Sequence, residues 1–170
     1  LEIGARAQRT LRRRGVGAGD FVLLAESLGP VLYGTVVGVL GLGATVLLVE
    51  PWMPVARIED AVAAARPRAF VAGLLGMGWG LRVGAIRRIP SWIWTSCLGW
   101  RAARDPLHAE AVAAEQTAIV TFTSGTTGRP KGVVRRHGGL LEQHGILTRA
   151  LGMEGAAGTD LTIFANFVLL

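Results

Sequence analysis

The chain has 170 residues, of which 51% are hydrophobic and 18% charged, a composition that excludes a disordered segment and suits one globular domain. The net charge is +6, but no stacking aromatics accompany the arginines near the amino terminus, so we do not expect a nucleic-acid partner. The single cysteine, Cys97, excludes an internal disulfide, and we expect a reducing, cytoplasmic location.

The first part of the chain alternates between helical and strand-like patterns. Glu2–Arg14 has apolar residues at spacings of four, which predicts an amphipathic helix with a solvated basic face. A glycine-rich turn leads into the predicted strand Phe21–Ala25. Val55–Ala65 then predicts a helix that ends before a proline, and Ala69–Ala72 predicts a short strand.

Residues 27–49 contain no charge, and that length could span a bilayer. Several central glycines, an early proline and the absence of basic or aromatic flanks favour two soluble elements instead. We predict a helix over Pro30–Leu40 and a buried parallel strand over Ala44–Val49. We expect Gly34 and Gly38, which are four apart, to let that helix lie close to a sheet. A membrane-inserted chain is the alternative.

The second part continues the alternation. Leu74–Thr95 predicts a helix, a turn and a strand, and Arg101–Glu115 predicts a surface connection. Thr117–Phe122 is an apolar strand, His137–Leu151 predicts a helix, and Asp160–Leu169 predicts a last strand. Strands that alternate with helices indicate an α/β fold, in which helices cover a mainly parallel sheet on both faces.

The most informative stretch follows Phe122. It is rich in glycine and hydroxyl side chains and continues into Pro130 and Lys131. Glycines let backbone N–H groups approach phosphate oxygens, hydroxyls donate further hydrogen bonds, and lysine adds a positive charge. The spacing differs from that of a Walker A loop, and an ordinary polar turn between a strand and a helix is the structural alternative. We predict a polyphosphate-binding loop made of Thr123, Ser124, Gly125, Thr126, Thr127, Gly128 and Lys131.

The string T-S-G-T-T-G-R-P-K-G-V, from Thr123 to Val133, resembles the signature of the AMP-binding superfamily. That superfamily includes acyl-CoA synthetases, the adenylation domains of non-ribosomal peptide synthetases, and luciferases. Gly15–Val22 resembles the family's turn before its first strand. Gly43–Pro51 resembles a further family segment, although Glu50 stands where the family commonly has Asn.

The resemblance implies an AMP-forming acid ligase, which joins a carboxylate to the α-phosphate of ATP and releases pyrophosphate. Mg²⁺ would accompany ATP, and a thiol such as coenzyme A is the usual acceptor of a second step. Thr123–Gly128 and Lys131 would bind the β- and γ-phosphates, with Lys131 as the catalytic residue. The family's Mg²⁺, ribose and mobile-domain contacts come later than the last residue here. We therefore expect residues 1–170 to be a partial adenylation domain without the carboxy-terminal lid, inactive when isolated, and we assign no metal ligand.

The most specific of these expectations concerns the class of substrate. Asp160–Leu170 falls where the family places a substrate-facing segment, with Val168 at the position that would face an acyl chain. Together with Val133–His137 this is similar to the branch that makes β-lactones from fatty acids, and an ordinary fatty acyl-CoA ligase is the second choice. A non-catalytic nucleotide-binding remnant is the alternative to any enzyme.

Overall fold

The structure is a computed structural model, and it describes residues 2–50, 53–98, 106–123, 131–150 and 152. Helices and strands alternate through most of this range. In chain order they are α1 (Glu2–Arg13), β1 (Phe21–Ala25), α2 (Pro30–Gly41), β2 (Thr45–Leu48), α3 (Val55–Ala65), β3 (Ala69–Ala72), α4 (Leu74–Gly80), α5 (Gly84–Arg87), β4 (Ser91–Trp94), β5 (Thr117–Thr123), β6 (Lys131–Arg136) and α6 (His137–Ala150).

The described strands form a single sheet in the order β4-β3-β1-β2-β5-β6. All neighbouring pairs are parallel except β5 and β6, which are antiparallel. From β1 the chain crosses to β2 on one side and then returns to β3 on the other side. Right-handed crossovers in opposite directions place the connecting helices α2 and α3 on opposite faces of the sheet. The predicted α/β fold with a mainly parallel sheet is confirmed.

Two hydrophobic cores lie on the two faces of the sheet, because successive strand side chains point in opposite directions. Val22 and Leu24 of β1 pack with apolar residues of α1 and α2 on one face. Leu23 of β1 and Phe70 of β3 pack with residues of α3 and α5 on the other. Burial on both faces explains why these strands are continuous apolar runs.

Helices α1 and α2 are in close contact, and two glycines of α2 make that contact possible. A Cβ atom added at Gly38 would lie 2.5 Å from the carbonyl oxygen of Gly4, and one at Gly34 would lie 2.6 Å from Cβ of Ile3. The prediction that this glycine pair faces a sheet is therefore wrong. The glycine pair faces α1, whose small residues allow the backbones of the two helices to approach.

The irregular segment 106–115 runs over the surface, as predicted, and is attached to the helical layer. The buried side chain of Gln8 bonds the backbone of His108 twice: its Nε2–H donates to the carbonyl oxygen, and its Oε1 accepts from the N–H at 3.0 Å. The N–H of Glu110 donates to the carbonyl of Gly41 at 2.9 Å. Its carboxylate pairs with Arg12 at 2.7 Å. These bonds hold His108 and Glu110 of this segment against α1 and α2.

The main correction concerns residues 131–136. They form strand β6, where we predicted a loop as far as Lys131 and no strand before the helix at His137, so the predicted loop joins two antiparallel strands. The uncharged stretch 27–49 folds into a helix and a strand, as predicted. Among the described residues no helix is both long enough and apolar enough to cross a membrane. The predicted strand Asp160–Leu169, with Val168, lies outside the described residues.

Candidate functional site

The predicted loop joins the carboxyl end of β5 to the start of β6. Strand β5 runs parallel to β2, so its last residue, Thr123, lies at the same edge of the sheet as the carboxyl ends of β1 and β2. In open α/β sheets this edge is where ligands usually bind. The chain returns from the loop antiparallel to β5, and Lys131 is the first residue of the returning strand.

The hairpin register brings two of the predicted site residues together. Thr123 and Lys131 are paired across β5 and β6, so the two ends of the loop start from paired positions of one hairpin. The predicted residues between them, Ser124, Gly125, Thr126, Thr127 and Gly128, lie outside the described residues. Their part in a phosphate site stays a prediction.

A cavity of about 690 Å³ lies at the carboxyl edge, below the base of this hairpin. Its lining residues come from the ends of β1 and β2, the start of α2, α4 and the hairpin strands β5 and β6. Most of its lining is apolar. The lining residues are Leu24, Ala25, Glu26, Ser27, Leu28, Leu32, Leu48, Val49, Glu50, Met53, Leu75, Gly76, Trp79, Thr121, Phe122, Val133 and Arg135.

Glu26 directly follows β1, and its carboxylate is held by hydrogen bonds. Its carboxylate accepts a hydrogen bond from the hydroxyl of buried Thr95 at 2.5 Å and from the N–H of Ser27 at 2.9 Å. A Cβ added at Gly73 would lie 2.8 Å from the same carboxylate. Glu26 therefore fills the crevice between the carboxyl ends of β1, β3 and β4. The same residue also lines the cavity, together with residues of α4, β2 and β5.

Glu26, Trp79 and Arg135 are cavity residues that we did not predict. Glu26 could have been found, because it directly follows a buried parallel strand. Arg135 could have been found only after residues 131–136 were recognised as a strand. Side chains alternate between the two faces of a strand, so Val133 and Arg135 point to the same side, which is the cavity side. Trp79 carries no local signal, because its position depends on how α4 packs over β3.

His137 lies at the other end of β6 from the loop. Its N–H donates to the carbonyl of Gln116 at 3.0 Å, at the junction of β6 and α6. His137 is six positions from Lys131 along extended chain, which is roughly 20 Å. Its Nε2 is buried without a hydrogen-bond partner among the described residues. Burial lowers the pKa of His137 below its ordinary value of 6.5, because desolvation disfavours the charged ring.

We expect the stability of the chain to fall with pH below the ordinary histidine pKa. The unfolded chain takes up a proton at His137 more readily than the folded chain does, so the stabilisation is complete above about pH 6.5 and is lost as pH falls towards the depressed folded pKa. His137→Gln should flatten this slope, by less than the uptake of one whole proton would give, because the ring is only partly buried. Urea unfolding between about pH 5 and 8 measures it.

The control is His108→Gln, because the side chain of His108 is exposed and only its backbone bonds Gln8. This variant should keep the slope of the parent chain. An unchanged slope in His137→Gln would contradict the burial of Nε2 of His137.

The family model for AMP-binding enzymes matches residues 5–165. The chain is 36% identical over 135 residues to a probable non-canonical nonribosomal peptide synthetase, CymA of Salinispora arenicola, and this match covers 79% of the chain and 2% of that protein. It is 31% identical over 166 residues to an olefin β-lactone synthetase of Stenotrophomonas maltophilia, covering 91% of the chain and 30% of that protein.

Solved structures with the same fold include ATP-bound MatB from Rhodopseudomonas palustris, with a TM-score of 0.73 and 18% identity over 87% of this chain and 31% of that one. The inhibitor-bound N-terminal domain of FACL13 from Mycobacterium tuberculosis has a TM-score of 0.68 and 22% identity over 82% of this chain and 37% of that one. These two likenesses establish the fold. The family match spans nearly all of the sequence, and the chain belongs to the family of AMP-binding, adenylate-forming enzymes.

Proposed function

We propose that this chain supplies the polyphosphate-binding part of an ATP-dependent ligase that activates a carboxylic acid as an acyl-adenylate. The observation that carries the proposal is the pairing of Thr123 with Lys131 at the carboxyl edge. Between these two residues the sequence has the glycines and hydroxyls of the family signature. The neighbouring cavity and the family match support the same function.

The proposed chemistry is one displacement at phosphorus. A carboxylate oxygen of the substrate attacks the α-phosphorus of ATP, the bond to the β-phosphate oxygen breaks, and pyrophosphate leaves with the bonding electron pair. Lys131 and the donors of Thr123–Gly128 hold the β- and γ-phosphates and stabilise the charge that develops there. Mg²⁺ would arrive bound to the phosphates of ATP. Within the described ranges no group of three or more His, Cys, Asp or Glu side chains could hold a metal ion.

We test the phosphate role with Lys131→Ala in the 170-residue chain, using equilibrium dialysis against labelled ATP and AMP. One charge-assisted hydrogen bond is worth about 1.5–3 kcal/mol, so ATP affinity should fall by about 10- to 150-fold. AMP affinity should stay the same, because AMP lacks the phosphates that Lys131 would hold.

The control is Arg149→Ala, which removes one exposed positive charge near the end of α6. It should leave both affinities unchanged. If Lys131→Ala binds ATP within twofold of the parent chain, the loop is not a phosphate site. The isolated chain should show no exchange of pyrophosphate with ATP, because in this family the activation step needs further residues.

We propose a fatty acyl substrate, with a β-hydroxy fatty acid preferred over a plain one. The match to an olefin β-lactone synthetase extends over more of the chain than the match to a peptide synthetase, and the cavity lining is mostly apolar. An amino acid substrate is the second candidate, because the peptide synthetase match has the higher identity.

A chimera separates these two candidates. Residues 5–165 would replace the matching segment of the olefin β-lactone synthetase, and pyrophosphate exchange would be measured with fatty, β-hydroxy fatty and amino acids. Exchange with the fatty acids that disappears in Lys131→Ala supports the proposal. Exchange with amino acids alone would favour the second candidate.

A further inference from the structure

The edge of the sheet opposite the loop gathers exposed arginines from three separate parts of the sequence. Each part directly precedes one of the neighbouring parallel strands β1, β3 and β4. The amino ends of parallel strands meet at one edge, so these side chains share one surface. We call this surface the arginine edge, and it consists of Arg13, Arg14, Arg66, Arg68, Arg87 and Arg88.

Backbone contacts confirm that the three segments are adjacent. Ala69 of β3 pairs with Ser91 of β4, so Arg66 and Arg88 each lie three residues before a paired position. The N–H of Arg68 donates to the carbonyl of Phe21 at the start of β1, at 2.8 Å. A Cβ added at Gly15 would lie 3.1 Å from a guanidinium nitrogen of Arg68, so the end of α1 also reaches this surface.

Few acidic groups oppose this charge. Asp20 lies 3.9 Å from Nε of Arg68, and Glu59 lies near Gly84 at the start of α5. In the part of the chain that the structure describes, the other arginines of the edge form no ion pair; they are Arg13, Arg14, Arg66, Arg87 and Arg88. The surface is therefore strongly positive.

Arg66 adds an independent observation. It caps the carboxyl end of α3 with φ 47°, in the left-handed region that glycine adopts without strain. Among the described residues it is the one non-glycine with positive φ. An arginine at this position carries a backbone cost that glycine would avoid, which is expected where the side chain has a role outside the fold.

We propose that the arginine edge docks the protein on an anionic phospholipid bilayer surface. The segments before β1, β3 and β4 expose no large hydrophobic side chain, so the surface lacks the apolar centre of a protein interface. It also lacks exposed aromatics on which bases could stack. Guanidinium groups bind phosphates by paired hydrogen bonds, and charge alone attracts basic surfaces to anionic lipid. Docked in this way, the carboxyl edge with its cavity faces away from the bilayer.

The test is co-sedimentation of the 170-residue chain with vesicles of phosphatidylcholine alone or mixed with about 30% phosphatidylglycerol. We expect binding only to the anionic vesicles, and its loss when NaCl rises from about 0.15 M to about 0.5 M. Each arginine removed should weaken binding about fivefold, so Arg87→Gln with Arg88→Gln should weaken it about 25-fold. Arg66→Gly should weaken it about fivefold while unfolding at equal or higher urea, because the backbone strain is relieved.

The control is the double variant Arg57→Gln and Arg149→Gln, which removes two arginines outside the edge, the half-buried Arg57, paired with Asp60, and the exposed Arg149. It should bind anionic vesicles within twofold of the parent chain. Equal weakening by the control and by the Arg87 and Arg88 variants would overturn the proposal, because net charge would then explain binding. Absence of binding to anionic vesicles would overturn it as well. Tighter binding to a short DNA duplex than to vesicles would make the edge a nucleic-acid surface instead.

Discussion

Replacing Gly38 by alanine should destabilise the chain by about 1–3 kcal/mol, although alanine is the better helix former. The added Cβ would lie 2.5 Å from the carbonyl oxygen of Gly4 and 2.9 Å from Cβ of Ala7, both in α1. Backbone atoms of a neighbouring helix cannot rotate away as a long side chain can. The two helices must therefore separate, and the core beneath them, which contains Leu11 and Val39, loses contacts.

The measurement is the free energy of unfolding in urea, with Gly78→Ala as the matched control. Gly78 is an exposed residue of α4, and nothing lies within 4 Å of a Cβ added there. The same substitution should stabilise the chain at this position by about 0.5–1 kcal/mol, because only the helix propensity changes. Changes of the same sign in both variants would contradict the close packing of α1 on α2.

Replacing Phe70 by alanine should destabilise the chain by about 3–5 kcal/mol. Phe70 is 0% exposed in β3, with central strand β1 on one side and β4 on the other. Its ring meets that of Trp92 edge to face, with centroids 4.9 Å apart and planes at 75°. A Cβ at Gly80 would lie 2.7 Å from the same ring. Since α4 and β4 both pack on this ring, the cavity left by alanine cannot collapse easily.

The control for Phe70→Ala is Leu81→Ala, because Leu81 is 61% exposed. Removing an exposed side chain should change the free energy of unfolding by less than about 0.5 kcal/mol. Both variants would be measured by urea unfolding followed through tryptophan fluorescence, which also reports the environment of Trp92. A loss below about 1 kcal/mol in Phe70→Ala would mean that this core is not packed as described.

Local patterns in the sequence were sufficient to predict most helices and strands. The bounds of Phe21–Ala25, Val55–Ala65 and Ala69–Ala72 match the structure, because buried parallel strands are short apolar runs and prolines mark helix ends. Strand Lys131–Arg136 was missed because adjacent valines and adjacent arginines give no clean alternation. Pairing with β5, and not local preference, makes this segment extended.

The contact made by the glycines of α2 shows a second limit of prediction from sequence. Spacing along one helix reveals that a close approach is possible, but it does not reveal what approaches. Gly34 and Gly38 were expected to face a sheet, and they face α1 because the crossover from β1 to β2 places α2 on the same face as α1. The Gln8 bonds to His108 are equally invisible from the sequence, since 100 positions separate the two residues.

By itself, the sequence determined the family and the phosphate-loop prediction, because an unbroken string from Thr123 to Val133 carries both. It also determined the fold class, through the regular alternation of strands and helices. The strand order was decided only in the tertiary structure, and with it the cavity and the arginine edge. The physical reason is that both surfaces join residues far apart in the chain, such as Arg14, Arg68 and Arg88, which meet only when parallel strands align their ends.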